Sequence, residues 1–445
     1  MKVFMLGWEF PPHISGGLGT ACHGLTRGLD EIGVEVCFVL PTAIPVDAAS
    51  HVKLRSPTNL PSQAAPETIT QLSEHVELHQ VDAVLQPYGT LESSEKALKR
   101  IEKLQEMSQA WAEGGTAGGE TVAQMPAGTF ARGAGVNYSG NLMGQVHRYA
   151  RLAVELARHE DFDVIHAHDW MTYPAALAVA AASRKPLVVH VHSTEFDRSG
   201  QNVHQQVYEI ERTGMHGADR VVCVSYLTRN IVISRYGVPP QKIEVVYNAV
   251  ELPTDGDWQM QPIRQHEKIV LFLGRLTMQK GPDYFLRAAR KVIEKYKDVR
   301  FVIAGSGDMF ARCLEEAVAD PKLRSHVTFT GFLRGADVDR IFSMADLYVM
   351  PSVSEPFGIA PLEALSHNVP VIISKQSGVS EVLTHVLKVD FWDVNEMANK
   401  IVAVLKYAPL RMTLRNHGNF EVRRLRWKDA ARNCIRIYQE MLVAV

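Results

Sequence analysis

Arg275 and Lys280 stand five residues apart in Gly274-Arg275-Leu276 through Gln279-Lys280-Gly281, just after the apolar run Ile269 to Leu273. A guanidinium offers a planar fork of donors and an ammonium a compact point charge. On one strand-end loop the pair could converge on a diphosphate; read alone, they are equally two solvated surface cations. A second constellation is Glu355-Pro356-Phe357-Gly358-Ile359-Ala360-Pro361-Leu362-Glu363, which follows the apolar run Leu347 to Met350 and Pro351. Ala360 to Ser366 predicts a helix, with Glu355 in the loop before it and Glu363 in its first turn or two. The N–H groups around Phe357, Gly358 and Ile359 could then face a cleft. Two carboxylates so placed can hold hydroxyls of two parts of one ligand. Each glutamate alone also reads as a helix cap or a surface charge.

Two further groups lie near the beginning of the chain. Gly16-Gly17-Leu18-Gly19 follows the apolar run Val3 to Leu6 and leads into the helical stripe Leu25, Leu29 and Ile32. Glycines let backbone approach a phosphate, and a helix N-terminus supplies N–H groups and positive dipole. The loop is not G-x-G-x-x-G, so the nicotinamide fingerprint is missing; a plain tight turn is the other reading. His166-Ala167-His168-Asp169-Trp170 and His190-Val191-His192-Ser193 each end a predicted strand. Residues two apart in a strand share a face. The two His-x-His pairs with Asp169 admit zinc, hydrogen-bonded core histidines, or a sugar-binding or catalytic histidine.

The elements that must carry these residues alternate along the chain. Val3 to Leu6, the glycine loop, a helix ended by Gly33, and Val34 to Leu40 form a βαβ opening. Strands resume at Val164 to Ala167, Leu187 to Val191 and Arg220 to Val224, and Val245 to Tyr247 ends this half. Pro253, Gly256, Asp257 and Pro262 mark a hinge. A second alternation runs through Ile269 to Leu273, the helix Asp283 to Tyr296, Phe301 to Ala304, Val327 to Phe329, Leu347 to Met350 and Val369 to Ile373. The pattern predicts an α/β chain of two parallel halves facing a cleft, with ligands at the carboxyl ends of the strands. The halves are expected at 1–250 and 251–425, with a tail at 426–445. Within an insertion at about 85–135, the glycine- and alanine-rich stretches Gly114 to Gly119 and Gly128 to Gly135 read as a flexible segment or as a mobile lid or acceptor loop, and Leu91 to Trp111 before those stretches reads as helical.

Composition narrows the function classes. The 445 residues carry 47 Lys plus Arg against 49 Asp plus Glu, a net charge of -2 that gives no global signal for nucleic acid. No apolar run is long enough to span a membrane, and the opening is too short for a secretory core. The five cysteines form no C-x-x-C pair, which fits reduced thiols in a cytoplasmic protein.

Taken together, the motifs resemble the retaining glycosyltransferases of the GT-B fold, family 4, and the related glycogen and starch synthases. Gly274-Arg275-Leu276, Gln279-Lys280-Gly281 and Glu355-x7-Glu363 carry the specific part. Trp8-Glu9-Phe10-Pro11-Pro12, Gly16-Gly17-Leu18 and His166-Ala167-His168-Asp169-Trp170 are similar to glucan synthases. The resemblance covers both halves in order and implies two Rossmann-like domains around a central cleft, with a final helix crossing back to the first. It implies a nucleotide-sugar donor held by the second half, a saccharide acceptor on the first, and no metal or other cofactor. By position, Arg275 and Lys280 bind the donor diphosphate, Glu355 the transferred sugar and Glu363 the ribose. Gly16 and Gly17 and the N–H groups of Phe357, Gly358 and Ile359 complete the phosphate and sugar contacts. His168 lies beside the reacting sugar and Asn248 near the donor sugar. Bacterial glycogen synthases carry Lys and Asp where this chain has Ile14 and Thr20.

The tail is expected to be one basic helix studded with Arg423, Arg424, Arg426, Lys428, Arg432 and Arg436, with Trp427, Ile435, Tyr438 and Leu442 as its apolar face. Its expected role is the crossing helix; a peripheral membrane contact is the alternative. The favoured function is hexose transfer, with glucose to an α-glucan preferred over lipid-linked or sugar-phosphate acceptors. Other classes are a nucleotide-sugar isomerase, a zinc hydrolase and a non-catalytic nucleotide-binding homologue.

Overall fold

The computed structural model describes residues 1–11, 16–41, 142–252 and 267–443, together with the backbone of three short strands at 53–56, 68–70 and 76–80. The predicted helix Leu91 to Trp111, the insertion at 85–135 and most of the hinge lie outside these residues.

The first sheet contains β1 (Lys2–Leu6), β2 (Glu35–Leu40), β3 (Lys53–Ser56), β4 (Thr68–Thr70), β5 (Val76–Gln80), β6 (Val164–His168), β7 (Leu187–Val191), β8 (Arg220–Cys223) and β9 (Ile243–Val245). Their spatial order is β4-β3-β5-β2-β1-β6-β7-β8-β9. The second contains β10 (Lys268–Leu273), β11 (Val299–Ala304), β12 (Val327–Gly331), β13 (Leu347–Met350), β14 (Val371–Ser374) and β15 (Leu387–Val389), in the order β12-β11-β10-β13-β14-β15. Pairing is parallel except between β3 and β4. Strands buried on both faces need apolar side chains throughout. Accordingly Val3 to Leu6 and Val188, Val189 and Val191 are at most 2% exposed.

The chain order reverses at β1, flanked by β2 and β6, and again at β10, flanked by β11 and β13. In open α/β sheets these switch points leave a crevice at the carboxyl ends of the strands. The glycine loop follows β1, His168 ends β6, Arg275 follows β10 and Glu355 follows β13. All four predicted motifs thus sit at the two switch points.

The final helix, Trp427–Val443, crosses back and packs on the helix Gly17–Asp30 of the first half. The approach is close enough to need glycine. A Cβ at Gly24 would lie 2.1 Å from the Trp427 ring, and one at Gly28 would lie 2.5 Å from the Trp427 carbonyl oxygen. Arg436 pairs with Glu244 of β9 at 3.1 Å.

The expected face of this helix needs correction. Trp427, Ala430, Ala431, Cys434, Ile437, Tyr438 and Met441 are buried. Leu442 is 39% exposed and Ile435 only partly buried. Counting three and four residues on from Trp427 leads to Cys434 and Met441, and Ile435 and Leu442 each fall one position around the cylinder. Nor is the basic tail one helix: Ala408–Val422 ends first, and Arg423 to Arg426 turn between the two helices.

Candidate active site

At the first switch point the chain leaves β1 and enters the helix Gly17–Asp30 through Gly16, its N-cap. The N–H of Gly19 donates to Glu9 Oε2 at 3.2 Å. A Cβ on Gly16 would lie 2.7 Å from that same oxygen, so glycine here makes room for the carboxyl. Burial pushes the Glu9 pKa up to about 7, opposed by the Gly19 N–H and by Arg275 of the second half. The two halves therefore meet electrostatically at Glu9 and Arg275. Gly17 is exposed, has open space beside it, and together with Leu18 donates no backbone hydrogen bond to the described residues. This leaves donors at a helix start for an anion.

At the ends of β6 and β7 four imidazoles gather. His166 Nδ1 meets the Tyr438 hydroxyl of the final helix, His166 Nε2 lies 3.2 Å from His190 Nδ1, and His168 Nδ1 lies 2.9 Å from His192 Nε2. The rings of His166 and His168 stack at 4.5 Å, and those of His190 and His192 at 4.2 Å. Burial lowers all four pKa values, to about 3 for His166 and His192, so the rings are neutral near pH 7. The Nε2 atoms of His168 and His190 are buried without a hydrogen-bond partner among the described residues.

Asp169 ties these strand ends together. Its φ is 59°, and its Oδ1 accepts the N–H of His192 at 2.7 Å and of Ser193 at 3.3 Å. Burial raises its pKa to about 7 against the pull of Arg198. Asp169 is thus a turn and a clamp, which is why it follows the strand-end histidines.

In the second half Gly281 has a φ of 65°, and a Cβ there would lie 2.4 Å from the Pro351 carbonyl oxygen. This close approach brings the Lys280 turn against the end of β13. Lys280 Nζ reaches Glu355 Oε2 at 2.6 Å, and Ser352 Oγ donates to the same oxygen at 3.0 Å. Backbone bonds fix Glu355 from both sides, its N–H on Gln376 and its carbonyl on Gly378. The N–H groups of Phe357, Gly358 and Ile359 donate to no acceptor among the described residues. Glu363 lies in the first turn of the helix Ala360–Ser366, where burial and then Asp339 raise its pKa to about 7. Arg275 is partly buried, with its charge acting on both Glu9 and Asp308.

The structure therefore joins Lys280 with Glu355 directly and Arg275 with Glu9 through space. His168 is engaged within the first sheet. Asn248 is 7% exposed in the loop after β9, and no side-chain hydrogen bond among the described residues ties it to the others. Arg275 and Lys280 on one rim and N–H donors on both suit an anion, and Glu355, Glu363 and the His168 Nε2 suit hydroxyls.

Several contacts across the cleft had no sequence signal, because their partners are distant in the chain. Ser354 Oγ donates to Asp197 at 2.6 Å, Ser225 Oγ to the Pro356 carbonyl at 2.6 Å, and Tyr247 to Glu381 at 3.0 Å. Glu381 also accepts the N–H groups of Tyr226 and Leu227, capping a helix of the other half. Beneath Asp197, Arg198 is buried between Glu195 and Glu211. Glu9 was visible only as one letter of Trp8-Glu9-Phe10-Pro11-Pro12.

The family model described as Glycosyltransferase Family 4 matches residues 119–253, and the model described as Glycosyl transferases group 1 matches residues 257–419. An uncharacterized glycosyltransferase of Methanocaldococcus jannaschii is 27% identical over 99% of this chain and 98% of its own length. A glycogen synthase of Mycobacterium tuberculosis is 24% identical over 86% of this chain and 80% of its own. Among solved structures, sucrose-phosphate synthase from Thermosynechococcus elongatus superposes with a TM-score of 0.68 at 16% identity, covering all of both chains. The catalytic domain of starch synthase IV from Arabidopsis thaliana, bound to ADP and acarbose, gives 0.66 at 16% identity, covering 99% of each. These two likenesses establish the fold as GT-B.

Proposed function

We propose that this chain, which belongs to the family 4 and group 1 glycosyltransferases of the GT-B fold, moves a hexose from a nucleoside-diphosphate sugar to a hydroxyl with retention of configuration. Glucose is the favoured sugar and an α-glucan the favoured acceptor, in line with the glycogen synthase relative and the ADP- and acarbose-bound neighbour. The observation that carries the reading is the Lys280–Glu355 pair at 2.6 Å, a cation for a phosphate beside a carboxylate for a sugar at one switch point.

The donor C1–O bond breaks as the acceptor oxygen bonds to C1 from the same face, and the acceptor proton passes to a leaving phosphate oxygen. Negative charge grows on the diphosphate. Arg275, Lys280 and the N–H groups at Gly17 and at 357–359 stabilise it, and such fixed charges and dipoles need no reorganisation during reaction. They do the work for which a divalent metal would otherwise serve. Glu355 holds hydroxyls of the transferred sugar, Glu363 the ribose, and the His168 Nε2 a sugar hydroxyl. Asn248 borders the donor sugar. A two-carboxylate glycosidase scheme does not apply, because Glu355 is held by Lys280 and Glu363 sits a helical turn beyond.

A thermal-shift panel of UDP, ADP, GDP and their glucose conjugates tests the donor site. One nucleotide should stabilise the protein, and more so as its glucose conjugate. No shift with any of them would contradict the reading.

A further inference from the structure

The histidines at the ends of β6 and β7 do more than one sugar contact requires. One ring nitrogen from each of His166, His168 and His190 lies within 4.8 Å of the others, and all three residues are buried. We propose that these three imidazoles form a binding site for a borderline-soft divalent cation, of which Zn2+ and Co2+ are the representatives.

The backbone arranges the ligands. His166 and His168 are two apart on β6 and so share a face, and His190 on β7 is the register partner of His168. Three rings from two adjacent strands thus project from one patch of sheet. The ring orientations are set from behind, as at metal centres where the second nitrogen of each ligand is held by an outer partner. His166 Nδ1 is held by the Tyr438 hydroxyl and His168 Nδ1 by His192.

The spacing is close to that required. Zinc–nitrogen bonds of about 2.0–2.1 Å in a tetrahedron set the nitrogens about 3.3 Å apart. His166 Nε2 and His190 Nδ1 already lie 3.2 Å apart. The third nitrogen lies within 4.8 Å of them and closes to that spacing by a turn of its ring. The Nε2 atoms of His168 and His190 have no hydrogen-bond partner among the described residues, so His190 can present either nitrogen. A buried polar atom left unpaired is destabilising, and a bound cation removes that penalty. Imidazole donors select zinc, cobalt, nickel or copper over magnesium and calcium.

The consequence for catalysis rests on the transferase reading. A cation here takes the His168 lone pair assigned to the sugar, so it inhibits transfer.

The test uses the full chain, stripped with a chelator and titrated with Co2+ alone. One equivalent should bind with the intense visible bands of a four-coordinate ion, and Zn2+ should displace it. His190→Gln should weaken binding at least about tenfold. His417→Gln, which breaks the exposed His385–His417 stack at 4.9 Å, should leave it unchanged. Tyr438→Phe removes the outer partner of His166 and leaves all three ligands in place; it should weaken binding in the same direction, which keeps the test open should His190→Gln not fold. Absence of stoichiometric binding, or binding lost in His417→Gln and kept in His190→Gln, overturns the site. Binding is read without substrate, so failure of the metal site and failure of the transferase reading show separately. Transfer unimpeded by bound zinc overturns the coupling to His168.

Discussion

Replacing Glu355 with Gln should separate nucleotide binding from turnover. Lys280 Nζ sits 2.6 Å from Glu355 Oε2, with the side chains 22% and 7% exposed. The carboxylate therefore holds the ammonium that the proposed function assigns to the diphosphate. A hydrogen bond to a charged group contributes about 1.5–3 kcal/mol and a neutral one about 0.5–1.5 kcal/mol. The amide should thus release about 1 kcal/mol of hold on Lys280, about a fivefold factor in affinity. Calorimetric titration with UDP and ADP should show affinity unchanged or up to about fivefold tighter. Turnover of the nucleotide sugar should move the other way, by about 10²-fold or more, because the proposed function sets this carboxylate against the reacting sugar. An affinity reduced tenfold with an equal fall in kcat/KM would refute the placement of Glu355 at the sugar.

Arg275→Ala should weaken nucleoside diphosphate binding by about tenfold or more, since a charge-assisted contact is lost; unchanged affinity in the same titration would remove Arg275 from the phosphate site. Burial raises the Glu9 and Glu363 carboxyls from 4.5 to about 7. The folded chain therefore binds more protons than the unfolded one between these values, and stability falls as pH rises through that window. The loss is at most about 3 kcal/mol per group. Glu9→Gln should lose less stability than the parent between about pH 5 and pH 8 in denaturant titrations, and parallel curves would contradict the assignment. Gly28→Ala forces a Cβ to within 2.5 Å of the Trp427 carbonyl. It should destabilise the protein by about 1–3 kcal/mol, and an unshifted melting midpoint would speak against the packing of the final helix. EDTA should leave sugar transfer intact or increase it; activity abolished by EDTA and restored by one metal would contradict the metal-free chemistry.

The parts legible in the sequence were those written in local patterns. Uninterrupted apolar runs such as Val3 to Leu6 and Ile269 to Leu273 announce strands buried on both faces, and β1 and β10 follow them. Strand-end motifs are local too, so Lys280 and Glu355 could be named before their contact at 2.6 Å was seen. That they touch was not legible, because 75 residues separate them. The same holds for Ser354 with Asp197 and for Tyr438 with His166, pairs made only when the halves and the final helix close on each other. The final helix was misread by one position at Ile435 and Leu442, where apolar identity outweighed the three- and four-residue spacing that selects Cys434 and Met441. The role of Asp169 as a clamp depends on the end of the next strand and could not be read from its own neighbourhood.

The central proposal is transfer of glucose with retention from a nucleoside-diphosphate glucose to a glucan. Its most direct test is a proton NMR time course of the full chain with UDP-glucose or ADP-glucose and a maltooligosaccharide, following the anomeric signals. The account predicts consumption of one donor, release of its nucleoside diphosphate, and an α-configured product from the first turnover. A β-configured product, or a donor that stays intact with every acceptor while the nucleotide binds, would contradict it.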